Sequence, residues 1–419
     1  MQPFPLILKY IAAEQDTPYS GEELLFRLLH YPAFQVPPME IARLSVELSE
    51  RQFTKNKTFL RALLQEKMNA PPKDLFTPSL HEGLRRASTL LETWLAATRA
   101  MAPADWEPYL LAQDGIAAFW QMTGTGSMPG APSIERLDPA FAGALLKRFT
   151  MNVTALNSWM RCPLEFYYKN ILRIPSPQSE AAGFGSAVHH ALEQLFRGML
   201  EQAGNGRRRA FPPREAFIGF FEQYMQSHRE QFTAAQFDQR LAYGREVLGN
   251  YYTASVHRFS TVVAIERMIR VVYNGVPMKG KLDKLEFDGK SVNIVDYKTG
   301  DYDRALARMQ PPNEEAPNGG DYWRQAVFYK ILVDNYEDKG WKAVSTSFDF
   351  IEPGETGQYR RVQLPLGPAD VATVQQQIAG AWQAIQQQQF YTGCGAPHCG
   401  WCQFVTAAEL VGREALFKG

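Results

Sequence analysis

Two acidic residues and a lysine lie close together in one part of the chain. Asp283 ends the segment Gly280-Lys-Leu-Asp283, and Asp296 and Lys298 follow a short way downstream in Asp296-Tyr-Lys298. Carboxylate oxygens are the ligands that Mg²⁺ and Mn²⁺ prefer, and a neighbouring lysine could orient water or stabilise charge on a phosphate. The residue types therefore suit metal-assisted phosphodiester hydrolysis. Because an isolated Asp-x-Lys is more often an ordinary solvated hairpin, further motifs must support this interpretation.

A β-hairpin must bring the two aspartates together. Apolar residues alternate up to Phe287, and Asp288-Gly289 is a strong hairpin turn. Side chains alternate between the faces of a strand, so Asp296 and Lys298 project from the same face, and the hairpin can place Asp283 beside Asp296. Two neighbouring carboxylates are costly unless a divalent cation neutralises them.

Four motifs occur in the order found in RecB-type nucleases of the PD-(D/E)XK superfamily. They are Gly185-Ser-Ala-Val-His189-His-Ala-Leu-Glu193, Gly280-Lys-Leu-Asp283, Asp296-Tyr-Lys298 and Gln325-Ala-Val-Phe-Tyr329. Over roughly residues 150–405 the sequence strongly resembles that group, which includes AddB-like helicase–nuclease subunits and CRISPR-associated RecB-like exonucleases. The resemblance implies an α/β fold, namely a restriction-endonuclease-like core with a mixed central sheet flanked by helices, and an N-terminal α-helical region attached to it.

The resemblance also implies a set of metal ligands. The matching histidine of the family binds metal, so His189 would bind Mg²⁺ or Mn²⁺ together with Asp283 and Asp296, and the backbone carbonyl of Tyr297 would be a further ligand. Glu193 lies one helical turn from His189. It would take part in catalysis by contacting the metal site directly or through water, or it would orient a ligand.

Other motif residues would act on the substrate. Lys298 would be catalytic, and Gln325 and Tyr329 would contact the substrate backbone as in the family. Glu266, in the preceding strand, could also approach the metals, although an edge-strand glutamate has many ordinary uses. The implied activity is Mg²⁺- or Mn²⁺-dependent cleavage of DNA, by an exonuclease in preference to an endonuclease, on single strands or duplex ends during recombinational repair.

The four cysteines form a second group. Cys162 lies far upstream of Cys394, Cys399 and Cys402. Three thiols within nine residues and a fourth at a distance predict a four-thiolate metal site, for which iron–sulfur and zinc are both suitable. In AddB-like nucleases such cysteines hold a [4Fe–4S] cluster, and the resemblance favours it here. The four-residue gap precedes the C-x-x-C pair, whereas the family usually places the pair first, so Zn²⁺ is the alternative.

Composition limits the other functions. Basic and acidic residues balance at 44 each, so DNA binding must depend on local patches. The sequence has no apolar run long enough to span a bilayer and no signal peptide, which predicts a cytoplasmic protein without a membrane partner. It also lacks a G-x-x-x-x-G-K-[ST] phosphate loop, and we therefore expect no ATP hydrolysis by this chain.

The chain is predicted to have three regions. Residues 1–121 read as α-helical and resemble a UvrD-like helicase fragment, with an all-α accessory region as the alternative. Residues 122–149 would be a linker, and residues 150–419 the nuclease domain with the cysteines at its end. The chain would then be the nuclease part of an AddB-like helicase–nuclease with a helicase partner subunit. Two other functions stay open: an inactive DNA-binding or scaffold module of such a complex, and a free-standing CRISPR-associated exonuclease.

Overall fold

The computed structural model describes most of the chain, namely residues 3–31, 34–52, 58–69, 80–112, 136–174, 179–204, 209–336, 339–354 and 357–406. The first half of the predicted linker, residues 122–135, lies outside the described residues. The chain divides into two compact units, and the division at residues 121 and 149 stays a prediction. The first unit comprises Met1–Arg148, Arg161–Pro177 and Ala384–Gly419, and the second comprises Phe149–Met160 and Gln178–Gln383.

Helices build the N-terminal part of the first unit. In chain order they are α1 (Pro3–Asp16), α2 (Glu22–Leu29), α3 (Pro38–Arg51), α4 (Leu60–Asn69), α5 (Glu82–Thr98), α6 (Pro103–Leu111) and α7 (Pro139–Lys147). Proline begins α3, α6 and α7, where its fixed φ already suits the helix and its missing N–H is not needed. The side chain of Asp138 caps α7 by accepting hydrogen bonds from the N–H groups of Ala140 and Phe141 at 2.9 and 3.0 Å.

Arg61 of α4 joins three helices of this unit. Its guanidinium lies 2.6 Å from the carboxylate of Glu14 in α1 and 2.6 Å from that of Glu92 in α5. The side chain of Glu14 is fully shielded from solvent. A buried charge of this kind is stable only with a charged partner, so the ion pairs fix α1, α4 and α5 against one another.

The remaining helices follow in chain order: α8 (Val153–Arg161), α9 (Pro163–Phe166), a π-helical turn (Tyr167–Ile171), α10 (Glu180–Gly204), α11 (Arg214–Ser227), α12 (Ala234–Ser255), α13 (Tyr302–Ala305), α14 (Asp321–Asp334), α15 (Pro368–Gln386) and α16 (Gly400–Thr406). A complete capping box begins α12, in which Thr233 and Gln236 exchange side-chain to backbone hydrogen bonds.

A five-stranded sheet forms the centre of the second unit. Its strands are β1 (Val263–Tyr273), β2 (Val276–Asp288), β3 (Ser291–Lys298), β4 (Lys342–Phe350) and β5 (Arg361–Leu364), and they lie in sequence order. The pair β3–β4 is parallel and the other pairs are antiparallel. The predicted mixed sheet flanked by helices is therefore confirmed. Because a parallel pair needs a crossover connection, the chain between β3 and β4 carries α13 and α14.

The predicted hairpin is present between β2 and β3. Gly289 has a φ of 59°, which a glycine adopts without strain. Past the turn, Val295 and Tyr297 join a hydrophobic cluster that includes Phe196 of α10 and Phe221 of α11. This packing fixes the alternation of β3, so the residues between and after them project from the other face.

Gly280 allows α14 to pack closely on β2. A Cβ atom at this position would lie 2.5 Å from Cδ1 of the buried Leu332. We therefore expect Gly280→Ala to lower the free energy of unfolding by about 1–3 kcal/mol through overpacking, as measured by chemical denaturation.

Gly219 of α11 provides the matched control, since a Cβ there would meet nothing within 4 Å. Gly219→Ala should be neutral or stabilise the protein by up to about 1 kcal/mol, because alanine is the better helix former. Equal effects of the two substitutions would contradict the close approach of α14 to β2.

Candidate active site

Three ligand-type side chains converge at one end of the sheet. Nδ1 of His189 in α10 lies 3.4 Å from Oδ2 of Asp283 in β2. Glu266 of β1 joins them, since one ligand atom from each of the three residues lies within 4.8 Å of the others. One imidazole nitrogen and two carboxylates are a donor set that suits Mn²⁺ or Mg²⁺. The residues therefore fit the divalent ion that the motifs predict.

The backbone of β1 is adjusted at Glu266. Ile265 pairs with Lys284 and Arg267 with Leu282, which places Glu266 opposite Asp283. Glu266 has a φ of 49°, in the left-handed region that non-glycine residues seldom adopt. Such conformations are concentrated at functional sites. The carboxylate also forms an ion pair with Lys281, so its charge is partly balanced in the absence of metal.

Asp296, Lys298 and Gln325 form a closed triangle of polar contacts. Nζ of Lys298 lies 2.6 Å from Oδ2 of Asp296 and donates a hydrogen bond to Oε1 of Gln325 at 2.9 Å. Nε2 of Gln325 in turn donates to Oδ1 of Asp296 at 2.9 Å. Since Asp296 is only 4% exposed, these contacts are needed to stabilise its charge. They also fix the position of the lysine.

The backbone connects this triangle with the metal-type cluster. The N–H of Tyr297 donates a hydrogen bond to Oδ2 of Asp283 at 3.0 Å, so Asp283 is held beside β3 at the residue that follows Asp296. The sequence predicts metal binding by the carbonyl of Tyr297, and that role stays a prediction. The described contacts join His189 to Asp283 and Lys298 to Asp296. Among the described residues the metal-type group does not include Asp296, so metal binding by Asp296 also stays a prediction.

The two aspartates have unequal acidity. Burial raises the pKa of both, but at Asp283 the charge and hydrogen bond of His189 outweigh burial and hold the pKa below its usual value. At Asp296 burial prevails over the nearby Lys298 and raises the pKa to about 6. Burial lowers the pKa of His189, yet Asp283 reverses this and raises it to about 9. Paired carboxyl groups with separated pKa values are typical of sites that bind a cation or transfer protons.

Gln325 and Tyr329 lie together at the site, one turn apart on α14. Nε2 of Gln325 lies 3.1 Å from the Tyr329 hydroxyl, which in turn is 3.5 Å from the carbonyl oxygen of Lys281. Gln325 thus links α14 to both Asp296 and Lys298. The predicted contact of these two residues with substrate stays a prediction.

Glu193 has a different partner. Its Oε1 accepts hydrogen bonds from Nε and an Nη atom of Arg197 at 2.9 and 2.6 Å. Among the described residues, the metal-type group contains His189, Glu266 and Asp283 and does not include Glu193. A catalytic role of Glu193 stays a prediction, and the structure connects it with Arg197 one helical turn away.

Sequence reasoning missed Tyr322. Nζ of Lys298 lies 4.2 Å from the centroid of the Tyr322 ring, and Cζ of Arg308 lies 3.8 Å from it. Arg308 is held by two hydrogen bonds to Asp321, at 2.8 and 2.6 Å, and by one to the Tyr322 hydroxyl at 2.9 Å. Contacts of this kind stabilise a cation over an aromatic face. The available signal was the spacing, since Tyr322 precedes Gln325 by three residues on the same helix face.

The four cysteines gather within the first unit. Sγ of Cys402 lies 3.7 Å from Sγ of Cys162 and 3.7 Å from Sγ of Cys394. Together with Cys399, the sulfur atoms all lie within 4.8 Å of one another, so the predicted grouping of four thiols is confirmed. Burial raises the pKa of the Cys162 thiol to about 11. Burial therefore favours the protonated thiol at this position, which argues against a reactive nucleophile.

Comparisons with known proteins place most of the chain in one family. A family model described as the PD-(D/E)XK nuclease superfamily matches residues 150–407. No curated protein matches the sequence. Among solved structures, a crystal structure of a candidate exonuclease from Eubacterium rectale is similar at 13% identity and a TM-score of 0.39, over 61% of this chain and 88% of that one. Among the described residues, no helix is long and apolar enough to cross a membrane.

In the metal-free protein, the pKa values of the adjacent histidines His189 and His190 should be shifted in opposite directions. Asp283 raises the pKa of His189 to about 9 against the effect of burial, whereas burial lowers the pKa of His190 below its usual value. The pair with Asp283 should therefore stabilise the metal-free fold below the usual histidine pKa of 6.5, and this stabilisation should be lost as the pH rises through about 9.

NMR titration of the histidine ring protons measures both values. Asp283→Asn should lower the midpoint of His189 and leave that of His190 nearly unchanged. A midpoint of His189 at or below that of His190 in the wild-type protein would contradict the ion pair.

Proposed function

Since the chain belongs to the PD-(D/E)XK nuclease superfamily, we propose that it hydrolyses phosphodiester bonds of DNA with the help of Mg²⁺ or Mn²⁺. The observation that carries the proposal is the convergence of His189, Asp283 and Glu266 within 4.8 Å, beside a buried Asp296 that pairs with Lys298. This combination of hard ligands and a fixed ammonium suits attack by water on a phosphate. An ordinary solvated hairpin would not need this combination of ligand-type residues and a buried ion pair.

His189, Asp283 and Glu266 would hold the cation, with Asp296 completing the acidic group. When bound, the cation would supply positive charge to the phosphate and lower the pKa of a water molecule. In the described contacts, Asp283 already accepts a hydrogen bond from the N–H of Tyr297 through Oδ2. Its carboxylate is therefore oriented before any ligand arrives, which lowers the cost of arranging the site.

Lys298 would act on the attacking water and the phosphate. Its ammonium has three N–H donors, and two are directed to Asp296 and Gln325. The third can therefore point to a phosphate oxygen or a water. Tyr322 lies against the same ammonium and would restrict the side chain to this orientation. Gln325 and Tyr329 would follow the substrate backbone along α14.

We further propose an exonuclease in preference to an endonuclease, acting on single strands or duplex ends. The order of the motifs supports an AddB-like helicase–nuclease that processes DNA ends in recombinational repair. With it we propose a helicase partner subunit and a cytoplasmic location. We also propose a helicase-like or accessory region over residues 1–121, a linker over 122–149 and a nuclease domain over 150–419. The match of the family model to residues 150–407 supports a start of the proposed nuclease domain near residue 150.

Asp296→Ala should abolish the Mn²⁺-dependent degradation of labelled single-stranded DNA. Loss of this carboxylate removes negative charge beside the cation site and leaves Lys298 without its buried partner, so we expect the rate to fall by a factor of at least about 10²–10⁴. The measurement is the initial rate at fixed Mn²⁺ concentration. Asp288→Ala is the matched control, because Asp288 is an exposed aspartate at the hairpin turn of the same two strands.

Failure of the wild-type protein to cleave single-stranded or duplex DNA with either metal, combined with binding of the same DNA, would favour the inactive scaffold. Equal loss of activity in the Asp288 control would show that the loss is not specific to the carboxylate of Asp296 and would contradict its proposed role.

A free end should be required for digestion if the exonuclease proposal is correct. Linear single-stranded DNA should be degraded, whereas a covalently closed circle of the same sequence should persist, as followed on denaturing gels. Linearisation of the circle by the wild-type protein, absent with Asp296→Ala, would assign endonuclease activity to the same site.

A further inference from the structure

The spacing of the cysteine sulfurs determines which metal group can lie between them. Four sulfurs placed tetrahedrally about 2.3 Å from a single ion are about 3.8 Å apart. In the structure two of the sulfur–sulfur distances are 3.7 Å, and all four sulfurs lie within 4.8 Å of one another. Cys162, Cys394, Cys399 and Cys402 therefore have the spacing of ligands that surround one ion.

A cubane iron–sulfur cluster requires a larger separation. Each of its four irons binds one thiolate. The sulfur of that thiolate lies one iron–sulfur bond further from the cluster centre than the iron does. The distance between two thiolates then equals the iron–iron distance plus about 3.8 Å. A limit of 4.8 Å between the sulfurs leaves about 1 Å for the separation of two irons, less than any bond between heavy atoms. The four cysteines do not fit the [4Fe–4S] cluster that the resemblance favours.

The surroundings of Cys402 are also tight. A Cβ atom added to Gly393 would lie 2.8 Å from Sγ of Cys402 and 3.1 Å from Cδ1 of Leu164. Cys162 and Cys402 are only 1% and 4% exposed. The sulfurs of these two cysteines therefore cannot move apart to admit a larger cluster without displacing the packed residues behind them, whereas Cys394 is exposed and Cys399 is half-buried.

We propose that Cys162, Cys394, Cys399 and Cys402 bind a single tetrahedral Zn²⁺ ion in this protein. Tetrahedral thiolate sets select zinc or iron–sulfur groups, and zinc binds nitrogen and sulfur ligands more tightly than Fe²⁺ does. All four positions are taken by protein ligands, as is usual in structural zinc sites, and none is left for a substrate or water. The ion has a structural role.

The zinc site belongs to the first unit. α16 carries Cys402 together with Trp401, whose ring stacks on Tyr168 at 4.5 Å between centroids. Cζ of Arg27 in α2 lies 4.7 Å from the Trp401 ring. His30, which follows α2, meets Phe404 of α16 edge to face at 5.7 Å. The ion thus fixes the short helix against which the N-terminal helices pack, and its removal should destabilise that unit.

Metal analysis of the full chain tests the proposal. The protein is purified under nitrogen from iron-replete cells, and zinc, iron and acid-labile sulfide are measured. The background carries Asp283→Ala, so that zinc at the candidate active site is not counted. We expect about one zinc per chain and little iron. An organomercurial should release this zinc from the wild-type protein in proportion to four thiols modified, and the thermal transition should shift to a lower temperature.

Two substitutions separate the cysteine site from adventitious zinc. Cys162→Ser should reduce the zinc content from about one per chain to nearly none. His398→Ala is the control, since this exposed histidine lies between Cys394 and Cys399 and is not part of the four-sulfur group; it should retain the zinc. If Cys162→Ser is insoluble, release by the organomercurial gives the same answer on the wild-type chain.

Other results would overturn the assignment. About four irons with a matching amount of sulfide in the anaerobic protein would establish the cubane cluster. One iron without sulfide would exclude zinc. Loss of zinc from His398→Ala, or its retention in Cys162→Ser, would show that the four cysteines are not the ligands.

Discussion

Two neighbouring carboxyl groups, the buried Asp296 and the half-buried Asp283, determine the arrangement of the second unit. The charges of Asp283 and Asp296 repel, and burial removes the water that would otherwise screen them. Each acid therefore has its own cation: His189 comes from a helix, and Lys298 from the same strand as Asp296. This arrangement balances the charges of the acids in the absence of metal. The side chains of these pairs are brought together by α10, by the β2–β3 hairpin and by Gln325 of α14.

The sheet topology is the means by which the pairs are assembled. Antiparallel pairing of β1, β2 and β3 sets Glu266 opposite Asp283 and carries the chain directly to Asp296. The parallel pairing of β3 with β4 then requires a crossover. That crossover contains α14, which places Gln325 against Asp296 and Lys298 of β3. The triangle of Asp296, Lys298 and Gln325 therefore depends on the parallel pairing of β3 with β4.

Regular periodicity explains which parts of this site the sequence predicts. The turn at Gly289 and the shared face of Asp296 and Lys298 follow from glycine chemistry and from the two-residue period of a strand. The left-handed backbone of Glu266 has no such signal, because glutamate seldom adopts it. The contact of Tyr322 with Lys298 depends on how α14 packs, which local pattern does not determine. Likewise, the spacing of the cysteines along the chain predicts a metal site. It does not predict the distances between the sulfur atoms, which distinguish a site for one ion from a site for a cluster.

The first unit is assembled from three separate stretches of the chain, Met1–Arg148, Arg161–Pro177 and Ala384–Gly419. A gene fragment that begins at residue 150 would encode every motif of the nuclease family, but it would produce the cysteine helix without Arg27 and His30, the side chains that cover Trp401 and Phe404. Apolar rings exposed in this way promote aggregation. Recombinant dissection of this protein should therefore retain the N-terminal helices, even when only the hydrolytic half is of interest.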